Sequence, residues 1–316
     1  MSNPQLAPDG GHSASPKPPA PVRFYTLAAG GLVLDDGSGL WDLEAFLSGA
    51  GRSTDLVDLF EDGWMEASQL EPRLPRAGAK EWLPYAGPVK DRVPLELAVP
   101  VDPARVGKVL ALGKNFRAHA AEFGEEVPAE PLFFGKLPET LVPSGATVEV
   151  PAWCAGRVDH EAELALVIGL GGRDIAPADA FEHVAGYTVA NDLTARDLQR
   201  ADRDRGFPWL RGKNLDGFLP LGPCFVPRDF LDVSDLRVSA HVNGELRQDA
   251  TTRDWVVPVP EALAWLSKHL TLRPGDVVLM GTPAGVGPLL DRDEVRCEVT
   301  GIGTLATTIH RPAPQR

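Results

Sequence analysis

"VDHEAELALVIG" (residues 158–169) carries two opposed messages. From Leu164 to Ile168 it is a continuous apolar run, the pattern of a strand buried inside a sheet. Ahead of that run, Asp159, Glu161 and Glu163 occupy alternate positions, and alternate residues of a strand project from one face. Burying a carboxylate without compensation is costly, and a wholly apolar surrounding protonates it instead. Arg157, the nearest basic residue, cannot balance three acids, whereas a divalent cation can. An oxygen-only ligand set suits Mg²⁺, Mn²⁺ or Ca²⁺ better than zinc. The competing reading is an exposed strand end whose acids face water, as charged residues mostly do.

Composition frames the rest of the chain. Its 316 residues leave room for a large domain with a smaller one, or for two domains, and its 30 prolines and 32 glycines imply many turns and short strands. A net charge of −13 argues against a nucleic-acid partner and against an anionic membrane surface. Cys154, Cys224 and Cys297 share no short spacing, which excludes a zinc knuckle or a CxxC pair, and their odd number argues against a disulfide framework. No apolar stretch is as long as a membrane span and the first residues lack a signal-peptide layout, so the expectation is a cytoplasmic protein.

Residues 1–21 are rich in Pro, Ser and Gly, and are expected to form a disordered tail. Residues 22–104 read as a small N-terminal α/β domain of strand, turn, strand and a helix from near Asp42. Residues 105–312 read as the working domain. Strands are expected at "KVLALG", "HEAELALVIG", "AGYTVANDL", "LRVSAHVNGELRQ" with its Asn-Gly hairpin, "DVVLMG", "EVRCEVTG" and "GTLATTIH". Asn115 is placed to cap a short helix that Gly124 ends, and residues 258–270 form an amphipathic helix with Leu263, Leu266 and Leu270 at helical spacing. Strands outnumber helices without alternating with them. That pattern gives an α+β, mainly β fold and disfavours a Rossmann or TIM-barrel arrangement.

Three other stretches bear chemistry. In "NFRAHAAEF", His119 and Glu122 stand three apart on one helical face, and a carboxylate beside an imidazole fixes its tautomer and raises its basicity. The bland alternative is a casual surface pair. "VANDLTARDLQR" places Asp192 where an apolar strand runs out, followed by Arg196, Gln199 and Arg200; the alternative is a helix N-cap. "FPWLRGKNLDGF" sets Lys213 in a Gly-flanked loop, where it could equally be a solvated charge. "LMGTPAGVGPL" lacks the ending of a phosphate loop and instead suggests a tight turn at a pocket edge, with Thr282 offering a hydroxyl.

In this order, "ALGKNFRAHAAEFG", "EPLFFGKLPETLVPSG", "VDHEAELALVIG", "GYTVANDLTARDLQ", "PWLRGKNLDGFLPLGP", "VNGELRQ" and "LMGTPAGVGP" resemble the fumarylacetoacetate hydrolase family over nearly all of residues 108–288. The resemblance implies a mixed β-roll catalytic domain behind the small N-terminal one, and a homodimer. It also implies Glu161, Glu163 and Asp192 as ligands of Mg²⁺, and His119 with Glu122 as a water-activating dyad. By the same likeness Lys213 and Gln199 contact the substrate or its oxyanion, Arg196 belongs to the accompanying "TARD" signature, and Thr282 lines the pocket. "GKNF" departs from the family pattern and puts Lys114 into carboxylate recognition. "GEEVPAEPLFFGK" corresponds to a lid, and Asp159 is left at the rim of the site.

The expected reaction is Mg²⁺-dependent hydrolysis of a carbon–carbon bond in an acylpyruvate-type 2,4-dioxo acid, releasing pyruvate and a carboxylic acid. The alternative is an isomerase or decarboxylase acting on 2-oxo or 2-hydroxy-dienoate acids, oxaloacetate included. A non-catalytic metabolite-binding protein is a third reading. Phe116, Arg117, Arg200 and Trp209 are candidates for the pocket edge, where they would meet the distal end of a small 2-oxo acid.

Overall fold

The computed structural model describes residues 21–77, 81–122, 124 and 126–312. The tail expected at residues 1–21 falls almost wholly outside them. Mixed sheets with helices on their faces give a mainly β, α+β architecture. The large sheet runs in the order Leu40–Asp42, Leu32–Asp35, Arg23–Thr26, Leu219–Pro227, Val184–Asn191, Ala162–Ile168, Val277–Leu279, Val109–Gly113, Leu132–Lys136. A second sheet has the order Glu245–Thr251, Arg237–Val242, Glu294–Val299, Gly303–His310, Thr147–Glu149.

Ala162–Ile168 is buried at every position because it is covered on both faces. Leu164, Leu166 and Ile168 pack with Val238, Ala240, Val295 and Val299 of the second sheet. Ala165 and Val167 point the other way, into a cluster with Leu43, Leu47, Leu59 and Phe60 from the helices Leu43–Gly49 and Leu56–Glu61. The period of two thus splits one apolar run between two cores. The same large sheet extends across the chain's expected division at 104/105, because Arg23–Thr26 pairs with Leu219–Pro227 through Phe24 and Phe225.

Several local expectations are corrected. Asn115 does not cap the following helix, which spans Arg117–Glu122. Its amide donates instead to the carbonyls of Val257 and Met280, at 3.0 and 2.8 Å, and accepts the Val257 N–H. Gly124, at φ +66°, does end that turn. Leu270 is the C-cap of the helix Val259–His269 and is exposed, so the buried stripe there is Val259, Ala262, Leu263 and Leu266. Leu219–Pro227 is an unforeseen central strand. Prolines at 220, 223 and 227 hide it: Pro223 falls where the register with Val184–Asn191 is interrupted, Pro220 lies near one end, where Leu141–Val142 is the partner, and Pro227 is the last residue of the strand. Among the described residues no helix is long and apolar enough to cross a membrane.

Candidate active site

Asp159, Glu161 and Glu163 do not lie on one regular strand. A short strand, Val158–Asp159, stops before Ala162–Ile168 begins, and Glu161 sits in the gap between them. Backbone bonds hold that gap in shape: Glu161 N–H donates to Asn191 Oδ1 at 3.0 Å and Asp192 N–H to the Glu161 carbonyl at 2.8 Å. Glu161, Glu163 and Asp192 are therefore brought together from the ends of paired strands. All three are buried, and one oxygen from each lies within 4.8 Å of the others. Asp192 does not cap the next helix, whose N-cap is Ala195.

Asp159 is not at the rim. It is fully buried beneath the cluster and takes Arg157 Nε at 2.6 Å and Arg196 Nε at 2.8 Å. Arg196 also donates to Glu161 and, at 2.9 Å, to Gln199 Oε1, so one guanidinium ties Asp159, Glu161 and Gln199 into a single network. Lys213, far from being a solvated loop charge, is buried on the short helix Leu210–Lys213. Its Nζ donates to Glu161 Oε2 at 2.8 Å and Asp192 Oδ2 at 2.6 Å.

These pairings set the charges. Burial alone would raise the Glu161 carboxyl, but Lys213, Arg196 and His119 hold it far below the usual carboxylate range. Glu163 goes the opposite way, raised well above its ordinary value by burial and then by Asp192 and Glu161. Lys213 and the Gly281 N–H, the latter at 2.6 Å, offset this only in part. Burial opposes the Lys213 ammonium, yet Asp192 and Glu161 outweigh it and raise its pKa. Three buried carboxylates with oxygen ligands this close form a donor set that fits a divalent cation, and the least compensated of them, Glu163, has most to gain from one.

A cleft of about 650 Å³, open mouth included, stands over the acids. His119, Lys114, Gln199, Arg196, Lys213 and Thr282 all line it. His119 Nδ1 lies 3.4 Å from Glu122 Oε2, and the Gly285 N–H reaches both Glu122 oxygens at 3.2 Å. Burial pushes the Glu122 carboxyl up, but the bonds from His119 and Gly285 leave it below its ordinary value. Thr282 turns its hydroxyl proton to the Ala162 carbonyl at 2.9 Å. Of the edge candidates, Arg200 and Trp209 line the cleft, whereas Phe116 is buried and bridges to Trp255, and Arg117 lies outside the lining.

Sequence reasoning missed Lys136, Phe134 and Arg203. Phe134 and Arg203 line the cleft, and Lys136, fully buried, sits 2.8 Å from Asp192 Oδ1. Burial lowers its pKa, with Asp192 acting in the other direction. Phe134 and Lys136 are alternate residues of Leu132–Lys136 and so share the face turned to the site, a period-two signal that was there to read. Lys213 Nζ lies 4.9 Å from the Phe134 ring centroid.

The family model for the fumarylacetoacetate (FAA) hydrolase C-terminal domain matches residues 108–310. The mitochondrial oxaloacetate tautomerase FAHD2B of Bos taurus is 37% identical over 287 residues, which cover 88% of this chain and 86% of that protein. A fumarylpyruvate hydrolase from Pseudomonas aeruginosa, solved with Mn²⁺ and pyruvate, is 36% identical with a TM-score of 0.63, over 66% of this chain and 91% of that one. A fumarylacetoacetate hydrolase from Exiguobacterium antarcticum is 31% identical with a TM-score of 0.74, over 92% of this chain and all of its own (100%).

Proposed function

This chain belongs to the fumarylacetoacetate hydrolase family, and from that premise we propose that it is a metal-dependent enzyme interconverting the keto and enol forms of a 2-oxo dicarboxylic acid of the oxaloacetate type. The observation that carries the reading is the junction of two groups in one cleft. The acids Glu161, Glu163 and Asp192 lie at its buried end, and the His119–Glu122 pair lies beside them.

Glu161, Glu163 and Asp192 would hold the ion, Mg²⁺ in the first instance, with Mn²⁺ or Ca²⁺ as the other candidates of the same ligand preference. A divalent ion held there would supply Lewis acidity to the 2-oxo acid end of the substrate. His119, oriented by Glu122 through Nδ1, works through Nε2 and takes a proton from C3. Lys213 Nζ supplies one to the 2-oxygen, and proton exchange between the two groups resets them. Arg200 and Arg203 lie on the cleft side of the helix Arg196–Asp204 and, with Lys114, offer positive charge to a distal carboxylate.

A second reading, hydrolysis of an acylpyruvate, is favoured by the same dyad. His119 would then remove a proton from water rather than from carbon. Lys213 and the Gln199 amide would stabilise the oxyanion at the distal carbonyl, and cleavage would release pyruvate and a carboxylic acid. The Pseudomonas relative bears a hydrolase name.

The test follows keto–enol equilibration of oxaloacetate by ultraviolet absorbance, with Mg²⁺ or with EDTA, and assays pyruvate release from oxaloacetate and acetylpyruvate in parallel. Mg²⁺-dependent equilibration without pyruvate supports the tautomerase. Pyruvate from acetylpyruvate transfers the assignment to the hydrolase, and pyruvate from oxaloacetate alone to a decarboxylase. Inactivity in every arm sinks the proposal.

A further inference from the structure

One buried amide behind the cleft bonds to the two backbone segments that hold these groups in place. Gln248 stands on Glu245–Thr251, the outermost strand of the second sheet, where the three residues before it are exposed. Its own side chain is wholly buried. Nε2 donates to Thr282 Oγ at 2.7 Å and to the Pro283 carbonyl at 2.8 Å, while Oε1 accepts the Ala162 N–H at 3.0 Å and faces His160 Nδ1 at 3.0 Å. The amide's orientation is fixed by its backbone partners, because Ala162 N–H can only donate and the Pro283 carbonyl can only accept. His160 must then carry its proton on Nδ1. Both donors and both acceptor positions of Gln248 are thereby filled.

Its partners lie where the two halves of the site are built. Ala162 stands between Glu161 and Glu163. Thr282 and Pro283 belong to the loop 281–285, whose first N–H, at Gly281, holds Glu163 and whose last, at Gly285, holds Glu122. Thr282 closes the clamp by donating to the Ala162 carbonyl. The loop also rests directly on the strand: a Cβ at Gly285, φ +98°, would lie 1.9 Å from the Arg247 carbonyl oxygen. Loop 281–285 is thus a strap with one end on an acid of the cluster, the other on the dyad, and Gln248 as its anchor.

We propose that Gln248 is a positioning residue that holds the Glu161–Glu163–Asp192 cluster and the His119–Glu122 pair in fixed relation through loop 281–285. The inference rests on the reading of those two groups as the working centre. Without the amide, the Ala162 N–H and the Pro283 carbonyl lose a buried partner together, and the strap is free to leave both carboxylates.

The test uses Gln248→Met, which keeps the length and removes all four bonds. Mn²⁺ affinity, read without substrate from the paramagnetic signal of the free ion, is expected to fall ~10–100-fold, the usual effect of losing an outer partner of a metal ligand. At saturating ion, turnover is expected to fall ~10-fold in the wild-type background but less than ~3-fold in Glu122→Gln, because residues joined through one strap are not additive. Unchanged Mn²⁺ affinity, or losses that multiply in the double variant, would overturn the assignment. Should Gln248→Met lose its cooperative melt, Thr282→Val cuts the same clamp from the loop side and Thr282→Ser restores it. Weaker Mn²⁺ binding in the first and normal binding in the second supports the proposal, and equal binding in both refutes it. The Mn²⁺ measurement gives its answer whichever substrate the wild-type enzyme turns over.

Discussion

Lys136 and Asp192 form an ion pair shut off from water: Nζ lies 2.8 Å from Oδ1, and neither side chain has any exposed surface. Lys213 reaches the same carboxylate through Oδ2 at 2.6 Å, so Asp192 is held by an ammonium at each oxygen. Removing one partner of such a pair strands the other charge in a medium that cannot solvate it.

Lys136→Met is expected to lower the unfolding free energy by ~3–5 kcal/mol, the usual consequence of breaking a buried pair from one side. Urea denaturation of the metal-free protein checks this. A midpoint equal to the wild type's would show that Lys213 alone suffices for Asp192.

Glu163→Gln is expected to have opposite effects with and without metal. An acid whose folded pKa is raised holds its proton longer folded than unfolded. Its contribution therefore weakens folding as the pH climbs from the unfolded value, ~4.3 for Glu, toward the raised one. Near neutral pH the metal-free variant should melt above the metal-free wild type, with the difference shrinking toward acid pH. Added Mg²⁺ should stabilise only the wild type, by ~2.7 kcal/mol at a hundred times its dissociation constant. Melting curves across pH, with and without the ion, read both effects.

His119→Asn and Glu122→Gln are expected to differ in degree. The first removes the proton-transfer group and should lower kcat ~10²–10⁴-fold, whereas the second removes only its orienting partner and should cost ~10–100-fold. Steady-state kinetics at saturating Mg²⁺ compares them. Equal losses would mean that the carboxylate itself takes part in the proton transfer.

Arg200→Ala and Arg203→Ala are expected to raise KM for a 2-oxo dicarboxylate ~10-fold each, the loss of one charge-assisted hydrogen bond, and to leave KM for a neutral acylpyruvate within ~2-fold. Identical changes for both substrates would remove these arginines from recognition of the distal group.

What could be read from the chain alone follows from what is local in it. Glu161, Glu163 and Asp192 were legible because strand ends mark where apolar runs stop and polar groups begin. His119 and Glu122 were legible because three residues is one helical step. Asp159 was misplaced at the rim because Arg157 is its only near neighbour in sequence. The arginine that makes its burial tolerable, Arg196, is distant along the chain and reaches it only through the fold. Lys136 follows "LFFG" and looks like the charged end of a strand, and its buried partner is likewise remote. Asn115 had the residue type of a helix cap, yet tertiary carbonyls at 257 and 280 outbid the helix for its amide. Leu219–Pro227 obeys no local rule for a central strand, since Pro223 is admitted by a break in register that only its neighbour creates, and Pro220 and Pro227 by their places near the strand's ends.

The contact of Phe24 with Phe225 has a consequence for how the protein is made. During synthesis the strand Arg23–Thr26 is among the first described segments to leave the ribosome, yet the strand it docks on emerges about two hundred residues later. At typical translation rates of ~5–20 residues per second, that leaves one edge of Arg23–Thr26 waiting on the order of ten seconds or more for its partner. The hairpin with Leu32–Asp35 and the helices behind it can form in that interval, but they cannot cover that edge. The nascent chain is therefore most vulnerable to mispairing in the middle of its synthesis, when an apolar strand is present and its mate is not yet encoded in polypeptide.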